Sequence, residues 1–364
     1  MNVFKSAVSI GLAFFIAACG NGPSKHGVDN DRQMREKMGA IYTSRDYINL
    51  GQALTPVSYV ANQGSVVNQG DFLTQMSIVQ GTSPRLANKF GNTYAKVLNW
   101  VLSGADVSQL NAAGLTPLLM RGEDGFQNVL MTGYYSPVIH ARYSPQGRFQ
   151  HPIYAMPRQK RFTRAQIYAG ALKGQGLELA YTDSMLDNFL LGVQGSGYVD
   201  FGNGTLNYFA YAGQNGYKYA SIGRLLVEDG EIPKEKMSVQ AIKDWAARNP
   251  ERLQGLLERN PSYVFFKNVP NGKVKGSAGI PLIPLAAVAS DRRVVPSGSI
   301  LLVEEPLIDP QGNWTGQHQL RLMIALDVGG AVKGHHFDLY QGIGDEAGHQ
   351  AGLLKHYGRA WVLR

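Results

Sequence analysis

From residue 282 to the C-terminus the apolar residues fall into five short runs, 282–289, 299–303, 320–328, 336–340 and 359–363, each closed by turn-forming residues. Runs this short suit strands rather than helices, and their close spacing suggests a barrel. Glycine agrees, at 43 of 364 residues against a usual frequency of about 7%. That excess points to turn-rich β structure. The length suggests about two domains.

Upstream the period changes. A helix is expected from Asp71, its N-cap, with Phe72, Gln75, Met76 and Val79 recurring at helical spacing; a second is expected over 92–102, with Tyr94, Val97, Leu98 and Val101 on one stripe. Residues 129–137 read as a strand entering a turn, and 150–156 as another strand. Thr163-Arg164-Ala165-Gln166 has the form of a capping box opening a short helix. Residues 187–204 read as an apolar strand followed by a glycine-rich turn. Residues 238–257 form an amphipathic helical region broken at Pro250, and the strand 263–266 follows. This middle region could be an insertion into a domain made from both chain ends, a question that pattern alone leaves open.

The N-terminus reads as a targeting segment. Lys5 precedes an apolar stretch, 7–18, that ends in small residues and is too short to span a bilayer. Ile16-Ala17-Ala18-Cys19 resembles the lipobox of bacterial lipoproteins, which implies removal of residues 1–18 and acylation of Cys19. Several acyl chains anchor stably, because each buried CH₂ contributes about 0.8 kcal/mol and one chain alone is marginal. Gly20, rather than Asp, resembles lipoproteins delivered to the outer membrane. The bland alternative is an ordinary secretory signal. Cys19 is the single cysteine, so the chain can form neither an intramolecular disulfide nor a CxxC site. Residues 20–39 are polar and read as a flexible tether.

Candidate chemistry concentrates near the C-terminus. In 320–327, strand alternation puts Asp327 on the face away from Leu320, Leu322, Ile324 and Leu326. After Gly329-Gly330 turns the chain, the same alternation puts His336, Asp338 and Tyr340 on one face. Two acids at the rims of neighbouring strands shift each other's pKa, and the raised one can act as a general acid near neutral pH. Five of the eight histidines, His318, His335, His336, His349 and His356, fall in the last 47 residues, but their spacing fits no metal motif, and no metal or other cofactor is expected. The net charge of +8 invites a polyanion. With no basic helix, zinc finger or RNP-like motif, an anionic cell-wall polymer fits better than nucleic acid.

A set of segments then carries a resemblance: Ser83-Pro84-Arg85-Leu86, Thr132-Gly133-Tyr134-Tyr135, Pro152-Ile153-Tyr154, Ile167-Tyr168-Ala169-Gly170, Gln194-Gly195-Ser196-Gly197-Tyr198, Ala289-Ser290-Asp291-Arg292, and Ala325-Leu326-Asp327-Val328-Gly329-Gly330 through Asp338-Leu339-Tyr340-Gln341-Gly342. In this order, from about residue 70 to the C-terminus, the chain resembles the MltA family of peptidoglycan-cleaving lipoproteins. The resemblance implies a mainly β fold with some α: a double-psi β-barrel from 70–136 plus 273–364, a smaller barrel-like domain inserted at 137–272, and a glycan groove between them. Residues 1–18 would be the signal peptide and 19–69 the lipidated N-terminus and tether.

It further implies that Asp338 is the single catalytic acid/base, that Asp327 and Asp291 are supporting acids, and that Thr132, Tyr134, Gln194, Gly195 and Ser196 contact substrate. The activity implied is lytic cleavage of the β-1,4 bond between N-acetylmuramic acid and N-acetylglucosamine, leaving a 1,6-anhydro end. The implied partners are glycan strands and, through acylated Cys19, outer-membrane lipid on the periplasmic face; other cell-wall enzymes are further candidates. The doublet His335-His336 maps to no family role. Two rival readings remain: a barrel hydrolase with Asp338 as acid and Asp327 or Asp291 as base, and a cell-wall-binding lipoprotein without activity.

Overall fold

The computed structural model describes residues 25–42, 52–158, 161–330 and 332–364, so the expected signal peptide and Cys19 lie outside the described residues. Its strands are β1 (Leu54–Pro56), β2 (Pro117–Met120), β3 (Val129–Ser136), β4 (Val138–Arg142), β5 (His151–Tyr154), β6 (Glu178–Thr182), β7 (Gly197–Asp200), β8 (Leu206–Gln214), β9 (Val264–Val269), β10 (Ala287–Ala289), β11 (Ile300–Ile308), β12 (Trp314–Asp327), β13 (His336–Ile343), β14 (Lys355–Gly358) and β15 (Ala360–Leu363). The helices are α1 (Lys25–Lys37), α2 (Gln69–Thr82), α3 (Pro84–Leu102), α4 (Arg164–Tyr168), α5 (Met185–Gln194), α6 (Ile222–Glu228), α7 (Val239–Arg248), α8 (Pro250–Glu258) and α9 (Gly344–Leu353).

Two compact units result. One comprises Ser136–Val274 with Ile343–Asp345; the other takes in the described part of Ala17–Tyr135, Lys275–Gly342 and Glu346–Arg364. The second unit is built on a nine-stranded mixed sheet in the order β1-β2-β15-β11-β12-β10-β13-β3-β14. All five C-terminal runs supply strands to it. The core under the sheet gathers Met131, Val288, Leu301, Val303, Met323, Ala325, Phe337, Leu339 and Val362. Leu322, Ile324 and Leu326, on the other side of β12, are fully buried too, so this strand is covered on both faces.

Helix starts depart from the sequence reading for local reasons. Before α2 stands Asn68 rather than Asp71, and its side chain joins other elements: it accepts from Leu322 N at 2.9 Å and donates to Leu285 O at 2.9 Å and Leu322 O at 2.8 Å. Helix α3 starts at Pro84 instead of 92, because Ser83 caps it and Pro84 suits the first turn. The expected tether contains α1, whose pairs Asp31–Arg35 and Arg32–Glu36 have i,i+4 spacing. Such surface pairs contribute only a few tenths of a kcal/mol. Docking does more: Tyr357 N donates to Met38 O at 2.7 Å, and the Arg35 guanidinium lies 5.5 Å from the Tyr357 ring centre.

The inserted unit carries a six-stranded sheet, β5-β6-β4-β7-β8-β9, in which β4 and β7 run parallel. Thr163 and Gln166 form the expected capping box at α4. The apolar stretch from 187, expected as a strand, is helix α5, capped by Ser184 and burying Leu186, Phe189, Leu190, Leu191 and Val193. Arg164 is buried here, with its guanidinium donating to Asn260 O at 3.1 Å, Ser262 O at 2.6 Å and Tyr168 OH at 3.0 Å, and stacked 4.5 Å from the centre of the Phe189 ring.

Candidate active site

The site is assembled around the smallest side chain in its row. Ala289 on β10 pairs in register with Asp338 on β13 to one side and with Asp327 on β12 to the other. Residues in register across adjacent strands share a face, so both carboxylates flank one methyl group. Alternation alone would have sent Asp327 the other way, alongside Met323 and Ala325 in the core. The register shift corrects this: Val288 pairs with Ala325 but Ala289 with Asp327, so Leu326 is the extra residue of a β-bulge that re-aims Asp327. Beyond Asp338 lies β3, next to β13, and Thr132 on it pairs in register with Lys355 of β14.

Asp338 is fully buried. Its Oδ1 accepts from Thr132 Oγ1 at 2.7 Å, while its Oδ2 is buried with no hydrogen-bond partner. Burial lifts the carboxyl to about 7; the nearby Asp327 charge pushes the same way and the Thr132 hydrogen bond opposes. The flanking Phe337 and Leu339 are in the core.

Asp327 differs in its hydrogen bonding. Its Oδ1 accepts from Ser277 N and Val328 N, both at 2.8 Å, and its Oδ2 from Tyr134 OH at 3.1 Å. Burial raises its pKa, and these donors pull it back. The Tyr134 ring rests 5.3 Å from that of Tyr340, and burial keeps the Tyr134 phenol protonated well past its ordinary range. Asp291 is engaged elsewhere. Arg293 holds it through contacts of 2.6 and 3.0 Å, and Gly334 N donates to it at 3.0 Å. The Arg293 hydrogen bonds keep its carboxyl well below the usual range. Asp291 thus fastens the turn that leads into His335-His336.

Thr132 and Tyr134, expected to meet substrate, direct their hydroxyls at the two acids. Thr132 Oγ1 also lies 2.8 Å from Nε2 of His336, a residue for which the sequence suggested no role. The available signal was its alternation with Asp338. Ser277 and Ala289 gave none, since their part depends on long-range register. In the inserted unit, Gln194 ends α5 and Gly195 caps it at φ 80°, a left-handed conformation that favours glycine. Gly197 follows where a Cβ would fall 2.8 Å from the Pro137 carbonyl. Among the described residues no three His, Cys, Asp or Glu side chains are grouped to hold a metal.

Residues 130–267 match the family described as the MltA specific insert domain, and 286–364 match the 3D domain, a span that contains all three aspartates. The membrane-bound lytic murein transglycosylase A of Escherichia coli (strain K12) is 47% identical over 353 residues, covering 96% of this chain and 92% of its own. The chain belongs to the MltA family. A second MltA, from Vibrio cholerae, is 47% identical over 315 residues, or 84% of this chain and 86% of that one. The crystal structure of E. coli MltA with bound chitohexaose matches with a TM-score of 0.84 at 47% identity, covering 89% of this chain and 97% of the other. The fold is therefore the MltA fold, in mixed sheets with helices.

Proposed function

We propose that this chain is a peptidoglycan lytic transglycosylase that cleaves the β-1,4 bond between N-acetylmuramic acid and N-acetylglucosamine, with Asp338 as its only acid/base. Its relatives carry the name lytic murein transglycosylase, and as a member of their family the chain is an enzyme of that class. The observation that carries the mechanism is the Asp338 carboxyl, with one oxygen held by Thr132, the other unpartnered, and a pKa of about 7.

Glycoside hydrolysis ordinarily uses two carboxylates in separate roles. Here one serves twice. Protonated Asp338 gives its Oδ2 proton to the glycosidic oxygen as the C1–O bond breaks. The muramyl C6 hydroxyl then attacks C1 and returns its proton to the carboxylate, so the anhydro ring closes, Asp338 is restored and no water is consumed. Asp327, held by three donors, is equipped to carry negative charge beside the developing oxocarbenium ion.

In the same reading, 70–136 plus 273–364 form a double-psi β-barrel with 137–272 inserted. Support comes from Gly358, the last residue of the outermost strand β14, where a Cβ would fall 2.0 Å from the carbonyl oxygen of Glu304 on β11. Gln194, Gly195 and Ser196 would contact glycan, consistent with the chitohexaose held by the E. coli protein. Anchoring through Cys19 would place the enzyme on the periplasmic face of the outer membrane. Relatives are named membrane-bound, and no helix among the described residues is long and apolar enough to cross a membrane.

Digestion of purified sacculi in H₂¹⁸O tests the reaction. Mass spectra should show 1,6-anhydro ends without ¹⁸O. Labelled reducing ends would make the protein a hydrolase, and bound sacculi with no soluble product would make it a binding protein.

A further inference from the structure

The hydroxyl of Thr132 has a single hydrogen and two neighbours that could take it, Asp338 Oδ1 at 2.7 Å and His336 Nε2 at 2.8 Å. Only two arrangements satisfy both contacts. With a proton on Nε2, His336 donates to Thr132 Oγ1, and Thr132 must donate to Oδ1. The acid proton of Asp338 is then confined to Oδ2, the oxygen with no partner. With Nε2 bare, Thr132 donates to the imidazole and accepts a proton from Oδ1, which holds the acid proton on the wrong oxygen.

We propose that His336, acting through Thr132, is a positioning residue that holds the acid proton of Asp338 on Oδ2, where the glycosidic oxygen can take it. This rests on the reading of Asp338 as the acid/base. His336 is 2% exposed, and its place is set by the strand that carries Asp338, so the relay is fixed by the fold rather than by a mobile surface group. Among the described residues, the ionisable side chains on the strands around the relay include Tyr340 on β13, Tyr134 on β3, Asp327 on β12 and Lys355 on β14, while β10 contributes Ala289. Burial keeps the Tyr134 phenol protonated, Asp327 is engaged by its own donors and Lys355 is exposed, whereas His336 touches the Thr132 hydroxyl directly and so decides its hydrogen.

The test measures kcat and KM for anhydro-product release from peptidoglycan by the full enzyme, pH 5 to 9. H336L should lower kcat about tenfold with KM unchanged, because Thr132, no longer receiving a hydrogen from the imidazole, can accept from Oδ1 and so hold most of the acid proton on the wrong oxygen. H336Q, whose terminal N–H can reach Thr132, should recover most of the loss, and H336N, one methylene shorter, should not. T132V should move the descending limb of the pH profile upward, since it removes the bond that favours the carboxylate. Adding H336L to T132V should cost nothing further. The proposal is overturned if H336Q and H336N lose equally, if the H336L and T132V losses multiply, or if H336L raises KM and leaves kcat intact. Should H336L fail to fold, the Gln and Asn pair decides. D338N separates the two readings: if it keeps turnover, the acid assignment itself fails, whereas an inactive D338N beside an unimpaired H336L removes only the relay.

Discussion

Replacing Asp338 by Asn should abolish anhydro-muropeptide release and, above pH 7, make the protein more stable. The activity loss should be 10²- to 10⁴-fold or more, because a positioned general acid contributes about that much and in the proposed mechanism the same group also serves as the base. The stability gain follows from the same burial. The folded carboxyl titrates at about 7 and an unfolded aspartate at about 3.9, so between those values the folded state binds more protons than the unfolded. Stability therefore falls as pH rises through that window, and the penalty is complete above it. An amide of the same shape can still accept the Thr132 hydrogen bond and carries no charge. Urea unfolding should show D338N more stable than wild type by on the order of 4 kcal/mol at pH 8 and little different at pH 4. Equal stability at both values would mean that the buried carboxyl is not strained.

The second large effect should come from a pair far from catalysis in role. Glu304 on β11 is 2% exposed, and its carboxylate takes Nε of Arg359 at 2.5 Å and Nη2 at 2.8 Å. That contact fastens the turn between β14 and β15 to β11, at the place where Gly358 admits no side chain. Removing one partner of a buried pair is far more costly than removing both, because the remaining charge stays desolvated. Glu304→Ala should lower stability by about 3 to 5 kcal/mol in urea unfolding at pH 7, and E304M/R359M should restore most of it. A loss below about 1 kcal/mol in the single variant would show the pair to be incidental.

The parts of the site legible in the sequence were those set by period-2 alternation. The short C-terminal runs became strands, and His336 and Asp338 both meet Thr132, as residues on one face should. Asp327 was harder, because a bulge at Leu326 breaks the alternation that would otherwise bury it in the core, and nothing local announces a bulge. Ala289 and Ser277 act only through pairing with residues tens of positions away. A short apolar run such as that in α5 looks alike in a strand and a helix; the Ser184 cap is the residue that discriminates. Polarity made α1 look like a tether, although its i,i+4 charges and its contact with Tyr357 order it.

In the proposed mechanism one buried carboxyl, protonated near neutral pH, does the work of two. Its most direct test is the pH dependence of kcat/KM for 1,6-anhydro product release, which reports the ionisation of the free enzyme. A single descending limb centred near pH 7 is expected, as Asp338 loses the proton that the leaving group needs. A limb centred near pH 4, the ordinary aspartate range, or activity that rises toward alkaline pH, would contradict it.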